Sequence, residues 1–321
     1  MRVIRNINDI QLSNKKRYIA LGVFDGIHLG HRKLIESAVN RAKENDGLSI
    51  VVTFEPHPDR IIFPEKNILH ITTLEEKIEI ISTLGVDLLF ILKFGPWIKN
   101  MQPEVFIRRI LYEKLKANDI IVGFNYKFGF KGKGDTEFLK KYEELYGYKA
   151  IIIKPVVINE KIVSSTLIKK YIEDGNIQEA EKLLGHPYSI SGKVITGKNI
   201  GTKIVKIPTA NLLVHEEKII PGNGVYFTKI MIDNKNYFGL MNIGLRPTFK
   251  GKNRSIEAHI IDFDKNIYQK DVTCFILQKI RGEKFFDSVE KLREQIFQDI
   301  SIARKLIVGE NVGEKCGSNS R

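Results

Sequence analysis

His28 and His31 lie three residues apart in the stretch Leu21-Gly22-Val23-Phe24-Asp25-Gly26-Ile27-His28-Leu29-Gly30-His31. Those residue types suit one task, the holding of a nucleotide triphosphate. Gly26 and Gly30 leave room for close backbone approach. A helix that begins near His28 projects both imidazoles from one face of its first turn. Its unpaired N–H groups and the positive end of its dipole favour phosphate without any side chain. A catalytic zinc site takes three protein ligands and no third is evident beside this pair, so phosphate ranks above metal. A plain surface pair of histidines is the bland alternative.

The flanking residues supply the elements that must position these groups. Tyr18 to Val23 is an apolar run of strand type, and Arg32 to Lys43 spaces Leu34, Ala38 and Val39 as a helix does. Leu48 to Phe54 is a second apolar strand, closed by the rigid corner Glu55-Pro56-His57-Pro58. His57 therefore sits just past a strand end, where parallel sheets gather ligands, or else holds the corner by a structural hydrogen bond. Thr72 to Lys77 reads as a helix start, Leu88 to Phe94 as a strand, Pro103 to Leu115 as a helix, and Asp119 to Phe124 and Ile151 to Val157 as strands. This alternation predicts a parallel sheet with helices on both faces.

Two more polar stretches follow strand ends. Gly123 to Asp135 is rich in glycine and lysine and is expected to be mobile, cationic and able to fold over an anion. Ser164-Ser165-Thr166 places three hydroxyls before a helix with Lys169 one turn in, which suits phosphate oxygens or a simple helix cap.

After a helix from Asn176 to Leu184 and the stop Gly185-His186-Pro187, the period changes. Strand candidates at Tyr188–Ile195, Gly224–Ile232, Tyr237–Ile243, Ser255–Phe263 and Asp271–Ile280 predict a small antiparallel barrel. Ser288 to Leu306 closes it as a helix with Val289, Leu292, Ile296, Ile300 and Ala303 on one stripe, and 309–321 reads as a flexible tail. Pro208-Thr209-Ala210-Asn211 is a kinked segment whose hydroxyl and amide suit magnesium, or an ordinary turn. On the strand at 255–260, Glu257 points away from Ile256 and Ala258, either as a general base or as a solvated glutamate. Gly192 to Asn199 resembles a phosphate loop but lacks its hydroxyl and its helix.

Composition sets the class. At 321 residues, 43% hydrophobic and 28% charged, the chain is an ordinary globular protein of about two domains. Two cysteines cannot build a disulfide framework, and neither a signal peptide nor a membrane-length apolar run is visible, so a cytoplasmic protein without a membrane partner is expected. The net charge of +13 suits nucleic acid or phosphorylated small molecules, and the scatter of Lys and Arg favours the latter.

Taken in order, these motifs resemble the bacterial bifunctional riboflavin kinase and FAD synthetase family. Those that carry the likeness are Gly22 to His31, Thr53-Phe54-Glu55-Pro56-His57-Pro58, Gly123 to Gly129, Ser164-Ser165-Thr166, Pro208-Thr209-Ala210-Asn211, Asn242-Ile243-Gly244-Leu245-Arg246-Pro247-Thr248, Glu257 and Arg281. The resemblance implies an α/β plus β chain. Residues 1–184 would be a Rossmann-like FMN adenylyltransferase and 185–308 a riboflavin kinase barrel. It implies ATP as co-substrate, magnesium as cofactor, riboflavin, FMN and FAD as ligands, and no nucleic acid partner, and it leaves the oligomeric state open.

By the same resemblance, His28 and His31 are catalytic in adenylyl transfer. Gly22, Phe24, Asp25, Gly30, Ser164, Ser165, Thr166 and Lys169 bind that nucleotide, and His57, Asn125 and Asp135 lie on the FMN side. In the kinase, Thr209 and Asn211 hold magnesium-ATP, Glu257 is the base, and Asn242 and Arg281 meet flavin. Thr202, Lys206 and Lys169 depart from the family pattern at the nucleotide loops. One rival reading is nucleotidyl transfer to another phosphate ester with the barrel as a binding module; another is an RNA-binding or tRNA-charging protein.

Overall fold

The computed structural model of the chain describes residues 1–9, 14–196, 208–248 and 251–317, with backbone only at 246–248, 251–253 and 309–317. By contacts it divides into two compact units, Met1–Leu167 with Leu183–Gly185, and Ile168–Lys182 with His186–Arg321. The boundary expected at 184 differs from this division, because residues 168–182 pack with the second unit. Among the described residues no helix is long and apolar enough to cross a membrane.

The first unit is built on six parallel strands: β1 (Arg2–Ile4), β2 (Arg17–Leu21), β3 (Leu48–Glu55), β4 (Leu88–Lys93), β5 (Asp119–Gly123) and β6 (Lys149–Ile153), in the order β1-β4-β3-β2-β5-β6. The three-residue edge strand β1 escapes the sequence pattern because it is too short to show a period. Helices α1 (Leu29–Glu44), α2 (Pro58–Ile62), α3 (Leu74–Ser82), α4 (Pro96–Lys99), α5 (Pro103–Phe106), α6 (Thr136–Lys141) and α7 (Glu143–Tyr146) connect the strands, and a π-helical segment, Ile107–Lys114, continues α5.

Alternation along the strands sorts the apolar residues to two faces. Tyr18, Ala20, Val51 and Ile121 meet Leu34, Ile35, Ala38 and Val39 of α1 and Ile81 of α3. Ile19, Leu21, Val52 and Val122 meet Phe106, Ile107, Ile110 and Leu111 on the other face. Each such fully buried aliphatic side chain stabilises the fold by roughly 1.5–3 kcal/mol. These contacts fix the strand ends to which the functional loops attach.

The loop at 123–135 is built rather than loose, contrary to the sequence expectation. Phe128 is 7% exposed within the core, and its N–H and carbonyl pair with Gly134 at 3.0 and 2.9 Å. An aromatic anchor has overridden the glycine-rich composition.

A short hairpin, β7 (Val157–Ile158) with β8 (Lys161–Ile162), precedes α8 (Ser165–Glu173) and α9 (Ile177–Leu184). The second unit closes a six-stranded antiparallel barrel from β9 (Ser189–Ile195), β10 (Ala210–Val214), β11 (Gly224–Ile232), β12 (Lys235–Thr248), β13 (Gly251–Ile260) and β14 (Asp271–Arg281), in the order β10-β13-β12-β11-β14-β9. The segment expected as a kinked turn thus runs into a strand from Ala210. Residues 192–195, which resembled a phosphate loop, lie inside β9, and 197–207, with Thr202 and Lys206, fall outside the described residues.

Helix α10 (Val289–Gly317) packs on the barrel. Ala303 is fully buried with Val225, Phe227 and Leu240, while Val289, expected on the same stripe, is exposed. The helical backbone runs on through Gly317, into the stretch expected as a flexible tail from 309.

Candidate active sites

In the parallel sheet, the chain leaves β2 toward β3 on one side and returns to β5 on the other. That reversal opens a crevice at the carboxyl ends of the strands. A cleft of about 400 Å³ occupies it, lined by Gly22, Val23 and Phe24 after β2, Gly123 to Lys127 after β5, Ile153 to Val156 after β6, and Ser164 to Thr166. His28, Gly30 and His31 complete the wall.

The turn that carries the histidines is strained. Phe24 and Ile27 have φ of 54° and 41°, and Gly26 has φ of 82°. Non-glycine residues in that region cost of order 1–3 kcal/mol each and persist only where the surroundings hold them. Here the surroundings do so from three distant segments. The Val23 carbonyl accepts from Thr53 Oγ1 and from Lys77 Nζ, both at 2.9 Å. Gly26 N–H donates to Thr72 Oγ1 at 3.1 Å, and Asp25 Oδ1 accepts from the N–H groups of Ile71 and Thr72 at 2.8 and 3.4 Å. Ser165 Oγ donates to the Asp25 carbonyl at 2.9 Å. A Cβ on Gly26 would lie 2.9 Å from Ile71 Cδ1, so this position requires glycine on two counts.

His28 caps α1. Its Nδ1 accepts from the His31 N–H at 3.3 Å, which leaves Nε2 as the protonated, donating nitrogen of the neutral ring. The two imidazoles stack 3.6 Å apart at 15°, and Phe24 meets His31 edge-on at 5.3 Å. Burial, together with the neighbouring His28, holds the His31 pKa well below the ordinary histidine value. In the free protein His31 is therefore neutral at pH 7, and an incoming polyphosphate would favour its charged form.

The remaining first-unit residues divide into those at the cleft and those away from it. Asn125, exposed, and the three hydroxyl residues line it, and Ser164 Oγ also accepts from Leu167 N–H at 3.4 Å as a cap. Lys169 sits one turn along α8. Asp25 is 4% exposed and faces the 71–72 backbone rather than the cleft lining. His57 caps α2 through Asp59 N–H at 3.2 Å and stacks on His70 at 4.2 Å. Asp135 caps α6 through Phe138 N–H at 2.9 Å and lies 3.4 Å from Lys127 Nζ. Neither His57 nor Asp135 is among the described residues that line the cleft.

Sequence reasoning missed Thr53, His70, Thr72 and Lys77. Lys77 is 5% exposed and its pKa is lowered by burial; its spacing, three residues after Leu74 and four before Ile81 on the apolar face, is the one sequence signal that could have found it. Tyr126 was also missed. It lines the cleft, burial pushes its phenol up, and its hydroxyl has no hydrogen-bond partner among the described residues.

In the barrel, strand register brings the expected residues into one row. Asn211 on β10 is opposite Glu257 on β13, and Glu257 is opposite Asn242 on β12. Directly opposed residues share a face, so the three side groups stand together, away from the buried Ile256 and Ala258. The row continues through Val225 to Arg281. Asn211 is 8% exposed, Glu257 half-buried and Asn242 exposed.

Arg281 is engaged by α10, its Nη2 and Nε reaching Asp299 Oδ2 at 2.8 and 3.0 Å, with Asp299 2% exposed. Thr209 lines a separate cleft of about 250 Å³ with Asp264, Lys265, Asn266 and Tyr268.

Comparison with known proteins agrees with this division. The FAD synthetase family model matches residues 10–167 and the riboflavin kinase family model residues 184–307. A bifunctional riboflavin kinase/FMN adenylyltransferase of Buchnera aphidicola is 38% identical over 95% of this chain and 98% of its own. One from Escherichia coli K12 is 30% identical over 95% and 97%. A crystal structure described as a macrolide-efflux protein from Streptococcus pneumoniae superposes with a TM-score of 0.85 at 32% identity, covering 94% of this chain and 98% of that one. With both domain models and relatives matched along nearly their whole length, the chain belongs to the bifunctional riboflavin kinase/FMN adenylyltransferase family.

Proposed function

We propose that the barrel unit transfers the γ-phosphoryl group of ATP to riboflavin, giving FMN, and that the parallel-sheet unit transfers an adenylyl group from ATP to FMN, giving FAD and pyrophosphate. The observation that carries this is the pair of separate convergences: stacked imidazoles in a cleft at the sheet's point of reversal, and Asn211, Glu257 and Asn242 in one cross-strand row. The scattered basic residues support small phosphorylated ligands rather than nucleic acid or a membrane, and the use of ATP as co-substrate by both units supports the cytoplasm as the place of action.

In adenylyl transfer, a phosphate oxygen of FMN attacks the α-phosphorus of ATP and the bond to the β-phosphate oxygen breaks. The protein's work is positioning and charge stabilisation. The N–H groups at the start of α1 and the Nε2 of His28 are donors for the triphosphate. His31 supplies a second imidazole, and Ser164, Ser165 and Thr166 supply the opposite wall, with Lys169 further along α8 as the cation for phosphate. Gly22, Phe24 and Gly30 shape the backbone approach, while Asp25 holds the turn. Asn125 stands on the FMN side, with His57 and Asp135 acting there through the loops they cap.

In phosphoryl transfer, Glu257 takes the proton of the terminal ribityl hydroxyl as its oxygen attacks the γ-phosphorus, and ADP leaves. The Thr209 hydroxyl and Asn211 amide oxygen are the hard donors magnesium prefers; Asn211 is buried beside the base and fits that ion, while Thr209 lines the neighbouring cleft and would have to turn toward Asn211 to share it. Magnesium, when bound there, would neutralise phosphate charge. Asn242 and Arg281 lie on the flavin side of the row.

The test is incubation of the purified chain with riboflavin, ATP and magnesium, followed by chromatography. FMN should rise first and FAD follow; if neither forms, both assignments fall.

A further inference from the structure

We propose that Asp25, His57 and His70 form a binding site for one transition-metal dication of zinc type, apart from the nucleotide cleft. One ligand atom from each residue lies within 4.8 Å of the other two. The His70 Nδ1 is 3.9 Å from Asp25 Oδ2, and the imidazoles of His57 and His70 are stacked 4.2 Å apart. His70 is 6% exposed, yet among the described residues neither of its ring nitrogens has a hydrogen-bond partner. A buried imidazole with both nitrogens unsatisfied costs folding free energy unless something else occupies that position.

The surroundings match what a bound ion needs. Asp25 is fixed through Oδ1 by two backbone N–H groups, which turns Oδ2 toward His70. His57 contributes one ring nitrogen to the group, and its Nδ1 accepts from the Asp59 N–H at 3.2 Å, which fixes the ring at the corner after β3.

Tetrahedral bonds of about 2.0–2.2 Å place ligand atoms roughly 3.3–3.6 Å apart, so the side chains must draw together and the two stacked rings must turn to aim their in-plane lone pairs at one ion. Two nitrogens and one carboxylate select zinc-type ions over magnesium, which prefers six oxygens. The three ligands come from the β2–α1 turn, the corner after β3 and the segment before α3. An ion there would fasten the strained turn that presents His28 and His31.

The experiment is titration of the full chain, freed of metal by chelation, with Co²⁺. A visible d–d absorption should saturate at one equivalent, be abolished by Zn²⁺, and survive millimolar Mg²⁺. Saturating Zn²⁺ should raise the melting temperature of the parallel-sheet unit by roughly 5–10 °C. His70→Gln should weaken Co²⁺ binding at least about a hundredfold and erase the zinc-dependent rise, and His57→Gln should do the same. A His28→Gln, His31→Gln double variant should keep the band. X-ray absorption on the zinc-loaded wild type should count two imidazoles, which decides the matter even if a variant does not fold. No band and no thermal rise in the wild type, or a band lost with His28 and His31 but kept without His70, would overturn the site.

Discussion

Glu257 stands directly opposite Asn211 across the β10–β13 pair, although the whole β11–β12 hairpin separates them in sequence. The pairing sets a carboxylate beside an amide on the face turned away from the buried Ile256 and Ala258. A base and a ligand for magnesium-ATP need that proximity. Replacing Glu257 by Gln should therefore lower FMN formation by about 10²- to 10⁴-fold, the range for losing a positioned base. FAD formation from supplied FMN should be unchanged, and a kinase assay that showed normal turnover would remove Glu257 from the role.

His31→Ala should have the converse effect. Loss of one preorganised charge-stabilising group costs about 10²- to 10³-fold, so FAD formation from FMN should fall by that factor while riboflavin phosphorylation persists. Equal loss of both activities would refute separate sites.

The same histidine makes the parallel-sheet unit sensitive to acid. Its folded pKa is depressed, so below the unfolded value of about 6.5 the unfolded chain takes up a proton that the native one refuses. The stability contributed by neutral His31 is present above that value and is lost as pH falls toward the folded pKa, at up to about 1.4 kcal/mol per pH unit. Denaturant titrations from pH 7.5 to 5.0 should show this slope, and His31→Phe should flatten it. An unchanged slope in the variant would place the acid sensitivity elsewhere.

Tyr126 offers a test of the cleft itself. An unsatisfied buried hydroxyl costs about 1–3 kcal/mol, so Tyr126→Phe should raise the stability of the free protein by about 1 kcal/mol. If the hydroxyl serves a substrate, the same variant should raise the apparent KM for FMN or ATP in adenylyl transfer. Stabilisation with unaltered kinetics would mean that the hydroxyl meets neither.

Arg281 and Asp299 form a nearly buried ion pair between β14 and α10. Removing one partner strands the other, at about 3–5 kcal/mol. Arg281→Met should accordingly lower the barrel's melting temperature. If Arg281 also meets flavin, the KM for riboflavin should rise beyond what Asp299→Asn produces, and equal effects in the two variants would confine Arg281 to holding the helix.

Much of this was legible in the sequence, for identifiable reasons. Strands β2 to β6 and helix α1 follow from apolar period, and the change of period after His186 announced the barrel. The histidine pair could be placed because a helix cap and an i, i+3 spacing are local properties. What could not be read depends on long-range geometry. The row joining Asn211, Glu257 and Asn242 is a matter of register, which no single strand records. Strand β10 was obscured by Pro208 beside it, and the order of the 123–135 loop rests on where Phe128 finds a core. The partners of the Val23 carbonyl, Thr53 and Lys77, belong to other elements altogether.

The left-handed backbone at Phe24, Gly26 and Ile27 has one practical outcome. Its shape is imposed by Thr53, Ile71, Thr72, Lys77 and Ser165, none of which lies in the motif itself. A synthetic peptide copied from 21–31, or that stretch grafted onto a foreign loop, should lose this conformation and with it any grip on a polyphosphate. What looks like a portable signature is a property of four separate pieces of chain held in register.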